Sequence, residues 1–250
     1  MGKYLRNPMI SIIIPTRELK RSKNLKYLHK KLTSIGDLLE SIDTIKDQEF
    51  EVIVVINGEN DKKLFDFIKN HHKVSKYALI SSNAGVSRAW NIGRNLAEGD
   101  LLLFLNDDVV LDKNDLHLLK SAMKDNVAMV GPKGSVWEKG EHVRYSDNDD
   151  VNVISGFAFM IKSKVFDEIG GVDIRFTPAG YEEVDLSFKV LKSGYLLKTV
   201  PGSKFTTNPV HGISAKNTDI QYFNSKINTK VLHERNTKYF REKWNLQETK

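Results

Sequence analysis

The 250-residue chain contains no cysteine. That excludes a disulfide framework, a thiolate metal site and a cysteine nucleophile, and it suits a reducing compartment. Long uncharged apolar runs are missing too. The first apolar stretch, residues 9–14, stops at Pro15. It falls far short of the roughly 18 residues that cross a bilayer, and it lacks the small-residue cleavage site of a signal peptide. The expectation is a cytoplasmic protein, with peripheral attachment to the inner face of the membrane left open. The chain shows no internal repeat, no low-complexity tract and no flexible linker, so one domain with an appended arm is the simplest organisation. It has neither a helix-turn-helix signature nor an aromatic platform motif, and nucleic acid is not expected as a partner.

What is present is a modest excess of positive charge, 38 Lys and Arg against 32 Asp and Glu. The bases gather at two places. Arg17, Lys20, Arg21, Lys23, Lys26, Lys30 and Lys31 form one group, and Lys226, Lys230, Arg235, Lys238, Arg241 and Lys243 the other. Solvated helix faces explain such groups most simply; a surface for anionic lipid or an acidic acceptor is the functional alternative.

Apolar β-branched runs alternate with amphipathic stretches. MISIIIP, EVIVVING, KYALISS and DLLLFLNDD read as strands, and the first, second and fourth have the continuous hydrophobicity of strands buried on both faces. Between them, Leu25, Leu28, Leu32, Ile35, Leu38, Leu39 and Ile42 follow helical spacing, as do DKKLFDFIKNH and GVSRAWNIGRNLAEG, the last ended by Gly99. Strand–helix alternation predicts a mostly parallel, twisted α/β sheet flanked by helices. After about Met123 the pattern loosens. Residues 129–150 read as loop or edge hairpin, then VNVISGFAFMIK as strand, KSKVFDEI and EEVDLSFKVLKSGY as helices and LLKTVPG as a short strand. The tail from about Asp219 to Leu246 is helix-like.

Ligands of open parallel sheets bind outside the carboxyl ends of the strands. Four loops should therefore meet in one crevice: Thr16-Arg17-Glu18, Asn57-Gly58-Glu59, Asn83-Ala84-Gly85 and Asn106-Asp107-Asp108. The last is the most informative. Adjacent carboxylates at the end of a buried strand either cap it and begin a turn or hold a hard cation through oxygen ligands. Glu182, Glu183 and Asp185 likewise have two readings, as ordinary acids of a helix's first turn or, for Glu183, as a general base. A glutamate at a helix N-terminus should keep a low pKa.

Taken in order, SIIIPTRE, EVIVVINGEND, NAGVSRAWNIGRNLAEGDLLLFLNDDV, ISGFAFMIKSKVFDEIGGVDIRFTPAGYEEVDLSFKVLKSGY and VHGISA resemble the GT-A glycosyltransferases of family 2, especially their rhamnosyltransferase-like branch. The resemblance covers roughly Met9 to Ala215. It implies a Rossmann-like GT-A domain over residues 1–218, with a nucleotide-binding half at about 8–110 and an acceptor half at about 111–218, followed by a helical C-terminal arm over 219–250. It implies a UDP-, dTDP- or GDP-sugar donor, Mn2+ or Mg2+, a saccharide or lipid-linked acceptor and inversion at the anomeric carbon. By the same resemblance, Glu183 stands in the general-base position with Glu182 beside it, and Asp108 and His211 are metal-site residues. Pro15, Thr16, Arg17, Glu18, Asn57, Asn83, Gly85, Arg88, Asn106 and Asp107 face the donor nucleotide, and Trp137 and Gly156 the acceptor; Asp173, grouped with the acceptor residues, reads either as orienting the loop that leads to Glu183 or as a turn aspartate.

Two positions depart from the family pattern. Ile56 stands where an aspartate often contacts a uracil ring, and Glu183 replaces the usual aspartate, its carboxylate one methylene further out. Trp90 reads as core and Trp244 as an anchor of the arm. Two other classes compete. A nucleotidyltransferase would carry a glycine-rich loop after the first strand, and PTRELKRSKN has the charges without the glycines. A non-catalytic nucleotide- or glycan-binding module would release no product from a nucleotide sugar.

Overall fold

The computed structural model describes residues 8–19, 32–46, 48–58, 61–208 and 216–246. Its frame is a set of parallel strands, β1 (Ile10–Thr16), β2 (Phe50–Asn57), β3 (Lys76–Ile80) and β4 (Leu101–Leu105). Helices α1 (Ile35–Asp43), α2 (Lys62–Asn70) and α3 (Val86–Leu96) connect them. After α4 (Asp115–Ala122), the sheet is extended by β5 (Val127–Gly131), by β9 (Ala158–Lys162), which runs into the short helix α5 (Ser163–Glu168), and by β10 (Leu196–Thr199). The order across seven strands is β10-β5-β9-β4-β1-β2-β3, with only β9 antiparallel to its neighbours. The mostly parallel sheet expected from the sequence is what the chain forms.

The continuous apolar strands are explained by two cores, one on each face. On β1, Ile10, Ile12 and Ile14 pack with Ile35, Leu38, Leu39, Leu64 and Leu116 on one side, while Ile13 joins Trp90, Phe104, Phe159, Phe166 and Leu186 on the other. Successive strand residues face opposite sides, so a strand covered by helices on both faces admits few polar side chains, and Ser11 within β1 is buried with its Oγ donating to Glu51 Oε1 at 2.7 Å. Trp90 is core, as expected, packed against Phe104 and Phe159.

Several boundaries differ from the sequence reading. Helix α1 begins at Ile35, where Ser34 and Asp37 form a capping box; Leu25 and Leu28 lie outside the described residues. Residues 32–34 are not helical, and the local hydrogen bonding at Ser34 and Asp37 marks the start of α1. Helix α3 stops at Leu96, before Gly99. The stretch read as loop or hairpin splits into the central strand β5 and a hairpin, β6 (Gly134–Glu138) with β7 (Glu141–Ser146), which pairs with β8 (Val153–Ile154) in a separate sheet. The helix-like tail is in fact a hairpin, β11 (Asp219–Tyr222) with β12 (Ser225–Asn228), before α7 (Thr229–Trp244).

Helix α7 packs onto the chain through Phe240, which joins Val153, Phe176 and Val184 in a third core. The second basic group is accordingly not one solvated face. Arg235 binds the Thr177 carbonyl, Arg241 pairs with Glu141 and Lys243 bridges Asp173 and Asp185. No helix among the described residues is long and apolar enough to cross a membrane.

Candidate active site

The carboxyl ends of β1 and β4 are adjacent because those strands pair, Ile13 opposite Phe104. Three residues further along, Thr16 stands opposite Asp107, and its Oγ1 donates to Asp107 Oδ2 at 2.7 Å. Asp107 and Asp108 are both buried, and Asn106 is exposed. Thr33 Oγ1 donates to the Asp108 carbonyl at 2.6 Å, fixing the backbone of the turn. Pro15, next to last in β1, is half-buried, Arg17 just beyond the strand is exposed, and Glu18 is half-buried.

The ends of β2 and β3 meet in the same way. The Asn57 side chain accepts from the Ala84 N–H at 2.9 Å and donates to the Gly85 carbonyl at 3.2 Å. Asn83 Oδ1 accepts from the Gly85 N–H, and its Nδ2 donates to the Gln221 carbonyl at 2.8 Å. These buried asparagines hold the loop in shape. Gly85 has φ +82, and a Cβ there would meet Thr177 and Pro178 within 2.7–2.9 Å. Only glycine brings this loop so close to the chain leading into the second acidic motif. Arg88, expected at the donor phosphates, donates from Nη1 to Thr177 Oγ1 at 2.6 Å and lies over the Phe223 ring at 5.2 Å.

That second motif opens α6 (Glu182–Lys192). Tyr181 takes a left-handed conformation, φ 74, immediately before it. Such a backbone costs a non-glycine residue roughly 1–2 kcal/mol and persists where its surroundings dictate it. Here α7 dictates it. Asn236, fully buried, directs Nδ2 at the carbonyls of Phe176, Ala179 and Gly180, and Tyr181 Oη bonds Thr237 Oγ1 at 2.8 Å.

Glu183 lines a cleft of about 610 Å³ together with Trp137, His142, Tyr145, Gly156 and Phe157. A Cβ at Gly156 would stand 3.2 Å from the Cβ and Cγ of Glu183, so glycine there leaves the carboxylate its position. The Asn106 N–H donates to the Phe157 carbonyl at 2.9 Å. One hydrogen bond thus joins the end of β4 to the wall of the Glu183 cleft.

Burial pushes the Glu183 carboxyl above the usual glutamate range. The low pKa expected of a helix N-terminus is corrected here, because desolvation outweighs the helix dipole. Glu182 is raised as well, first by burial and then by the charge of Glu183, and its Oε2 has no hydrogen-bond partner among the described residues. A raised carboxyl pKa costs stability as pH rises from the unfolded value of about 4.3 toward the folded one. Glu182→Gln should therefore melt higher than wild type at alkaline pH and lose that advantage near pH 4. A pH-independent difference in melting temperature would contradict this.

Two acids serve other ends than expected. Asp173 is absent from the cleft wall; it accepts from Tyr239 Oη at 2.7 Å and Lys243 Nζ at 2.8 Å. Asp185, read as an ordinary first-turn acid, is fully buried and binds Lys243 Nζ and the Trp244 indole N–H. Trp244 does anchor the arm. His211 lies outside the described residues. Sequence reasoning missed His142 and Tyr145, which reach the cleft through an irregular strand pairing that residue spacing does not disclose.

A model of Glycosyl transferase family 2 matches residues 11–149, more than half of the chain. The chain belongs to glycosyl transferase family 2. The match speaks for the family as a whole, not for a branch of it, and it ends before Glu182 and Glu183. Polypeptide N-acetylgalactosaminyltransferase 8 of Drosophila melanogaster is 26% identical over 286 residues, covering 93% of this chain and 48% of its own length. The chain thus spans about half of that curated relative. Among solved structures, GalNAc-T7 with UDP, GalNAc and Mn2+ superposes at a TM-score of 0.65 and 16% identity, covering 81% of this chain and 44% of that one. S. aureus TarS 1–349 in complex with UDP-GlcNAc gives 0.60 at 17% identity, covering 84% and 62%. These likenesses place the family 2 chain in the GT-A fold.

Proposed function

We propose that this family 2 chain transfers a sugar from a nucleoside-diphosphate sugar to a hydroxyl acceptor, inverting the anomeric carbon, with Glu183 as general base. The carrying observation is the hydrogen bond from Asn106 to Phe157, which sets the acidic end of β4 against the cleft that Glu183 lines. The donor occupies the crevice at the ends of β1 to β4 and the acceptor the cleft.

The acidic turn has the chemistry of a divalent-cation site. Asp107 and Asp108 supply carboxylate oxygens and Asn106 an amide oxygen, all of the hard type that Mg2+ or Mn2+ takes. Among the described residues no cluster of three His, Cys, Asp or Glu forms a complete protein cage. The set suits a cation that shares its remaining positions with diphosphate oxygens and water. Asp108 would hold it, and Asp107, already fixed by Thr16, would support it. When bound, the cation supplies stabilisation of the charge that develops on the leaving diphosphate.

Glu183 accepts the proton of the acceptor hydroxyl as that oxygen bonds the anomeric carbon. The bond from that carbon to the diphosphate breaks, and nucleoside diphosphate departs. The raised pKa makes Glu183 a stronger base than an exposed glutamate. A single displacement by the acceptor on the face opposite the diphosphate inverts configuration.

A thermal-shift panel of nucleoside diphosphates tests the donor half. Binding to the folded state raises the melting temperature. The expected result is a shift that needs Mn2+ or Mg2+, is lost in Asp108→Ala and is only diminished in Asp107→Ala. No shift with any nucleotide, or equal behaviour of the two variants, counts against the assignment. Pyrophosphate release from the nucleotide sugar would favour a nucleotidyltransferase instead.

A further inference from the structure

The β6–β7 hairpin carries a second binding element. Val136 pairs with Arg144 and Trp137 with His142, so Val143 is an extra residue on β7. In a regular strand, residues three apart face opposite sides of the sheet. A bulge resets that alternation, and bulges often re-aim side chains beside active sites. Here it brings His142 and Tyr145 to one side, with ring centroids 4.4 Å apart. Trp137 meets His142 edge-on at 5.8 Å and Tyr181 at 5.4 Å. The rings therefore form a row that starts next to Glu182 and Glu183 and runs out along the cleft.

The inner end of the row is rigid. Trp137 donates from Nε1 to Ser135 Oγ at 2.9 Å, and its backbone exchanges hydrogen bonds of 2.8 and 2.7 Å with the Asn152 side chain. The outer end is open, with Tyr145 75% exposed. Lys133, Ser135, Ser146, Asp147 and Ser155 line the same cleft.

We propose that this row is an extended acceptor subsite, and that the acceptor is an oligosaccharide whose preceding sugars lie along Trp137, His142 and Tyr145 while its terminal hydroxyl meets Glu183. The proposal rests on the transferase reading of the same cleft. A pyranose ring has an apolar C–H face and a rim of hydroxyls. The C–H face suits the negative face of an aromatic ring, and the hydroxyls need hydrogen-bonding partners when removed from water. Aromatic rings with a border of hydroxyl, ammonium and carboxylate groups supply both. The cleft volume lies in the range that ligands of several rings fill. A peptide would instead pair its backbone with the outer edge of β7, which has no strand partner among the described residues, and would have no use for a bulge that gathers ring faces.

Binding of wild type, Tyr145→Ala and His142→Ala to an array of mono- to hexasaccharides and peptides tests this. Tyr145 is exposed, so its variant should keep the wild-type melting temperature. The expected result is retention of wild type on a subset of oligosaccharides but not on the matching monosaccharides, weakened about tenfold in Tyr145→Ala. Equal retention of Tyr145→Ala, equal binding of monosaccharides, preference for peptides or retention on no saccharide would each overturn the proposal. Nucleoside diphosphate release from nucleotide sugars by wild type is measured alongside. Its failure with Tyr145-dependent glycan binding intact would refute the transferase reading and leave the subsite standing.

Discussion

Glu183→Gln should lose transfer by about 10²–10⁴-fold, the usual contribution of a positioned general base, while nucleoside diphosphate binding stays at the wild-type level. Glutamine keeps the volume that Gly156 accommodates and the place on α6. It cannot take the proton, so the acceptor must attack as a neutral alcohol. The pH profile gives a second readout. Glu183 acts only when ionised, and burial raises its pKa, so the acid limb of kcat/KM should lie above the ordinary glutamate value of about 4.3, with the rate rising as pH rises through the shifted value. Glu183→Asp draws the carboxylate back by one methylene and should keep part of the activity. Turnover in Glu183→Gln at the wild-type rate would remove Glu183 from the mechanism. A profile that is flat from pH 4 upward would remove the shifted base.

The part of the fold that follows local rules could be read from residues alone. Strands β1, β2 and β4 are buried on both faces, so their runs admit almost no polar side chain, and helices recur between them at regular spacing. The convergence of strand ends was also legible, since it needs only a parallel sheet. Thr16 with Asp107, and Asn57 with Asn83 and Gly85, are its observed contacts.

What could not be read depends on partners distant in sequence. Strand β5 is short and sits among glycines and charges, and it becomes a central strand only because β9 and β10 flank it. Asp185 looks like any first-turn acid until α7 supplies Lys243 and Trp244, about 60 residues later. The sign of the Glu183 pKa shift was missed for the same reason. A helix terminus is visible in sequence, and the packing that desolvates its carboxylate is not. The register slip on β7 leaves no residue signature, and it alone decides that His142 and Tyr145 share a side.

Asp185→Ala should destabilise the protein by about 3–5 kcal/mol, the cost of breaking a buried ion pair by removing one partner. Asp185 is fully buried and accepts from Lys243 Nζ at 2.7 Å and from Trp244 Nε1 at 3.0 Å. Without its carboxylate the ammonium keeps one carboxylate partner among the described residues, Asp173, beside the rings it lies over, and the indole N–H loses its acceptor. For a chain of this size the loss corresponds to a fall in melting temperature of about 10 °C. The consequence should reach the chemistry before global unfolding. Helix α7 fixes the carbonyls of Phe176, Ala179 and Gly180 through Asn236, and that segment sets the left-handed turn from which Glu183 projects. At a temperature where Asp185→Ala is still folded, its kcat should drop, while the nucleoside diphosphate thermal shift, which reads the crevice at the ends of β1 to β4 and does not depend on Glu183, persists. Acid should act on the same latch. Arg175, Lys243 and Tyr239 hold the Asp173 carboxyl well below its usual range despite burial, so the stability it contributes is present above about pH 4 and is lost as pH falls further. A melting temperature for Asp185→Ala within about 2 °C of wild type, on a scale of about 2–4 °C per kcal/mol, would show that α7 is held by its aromatic packing alone.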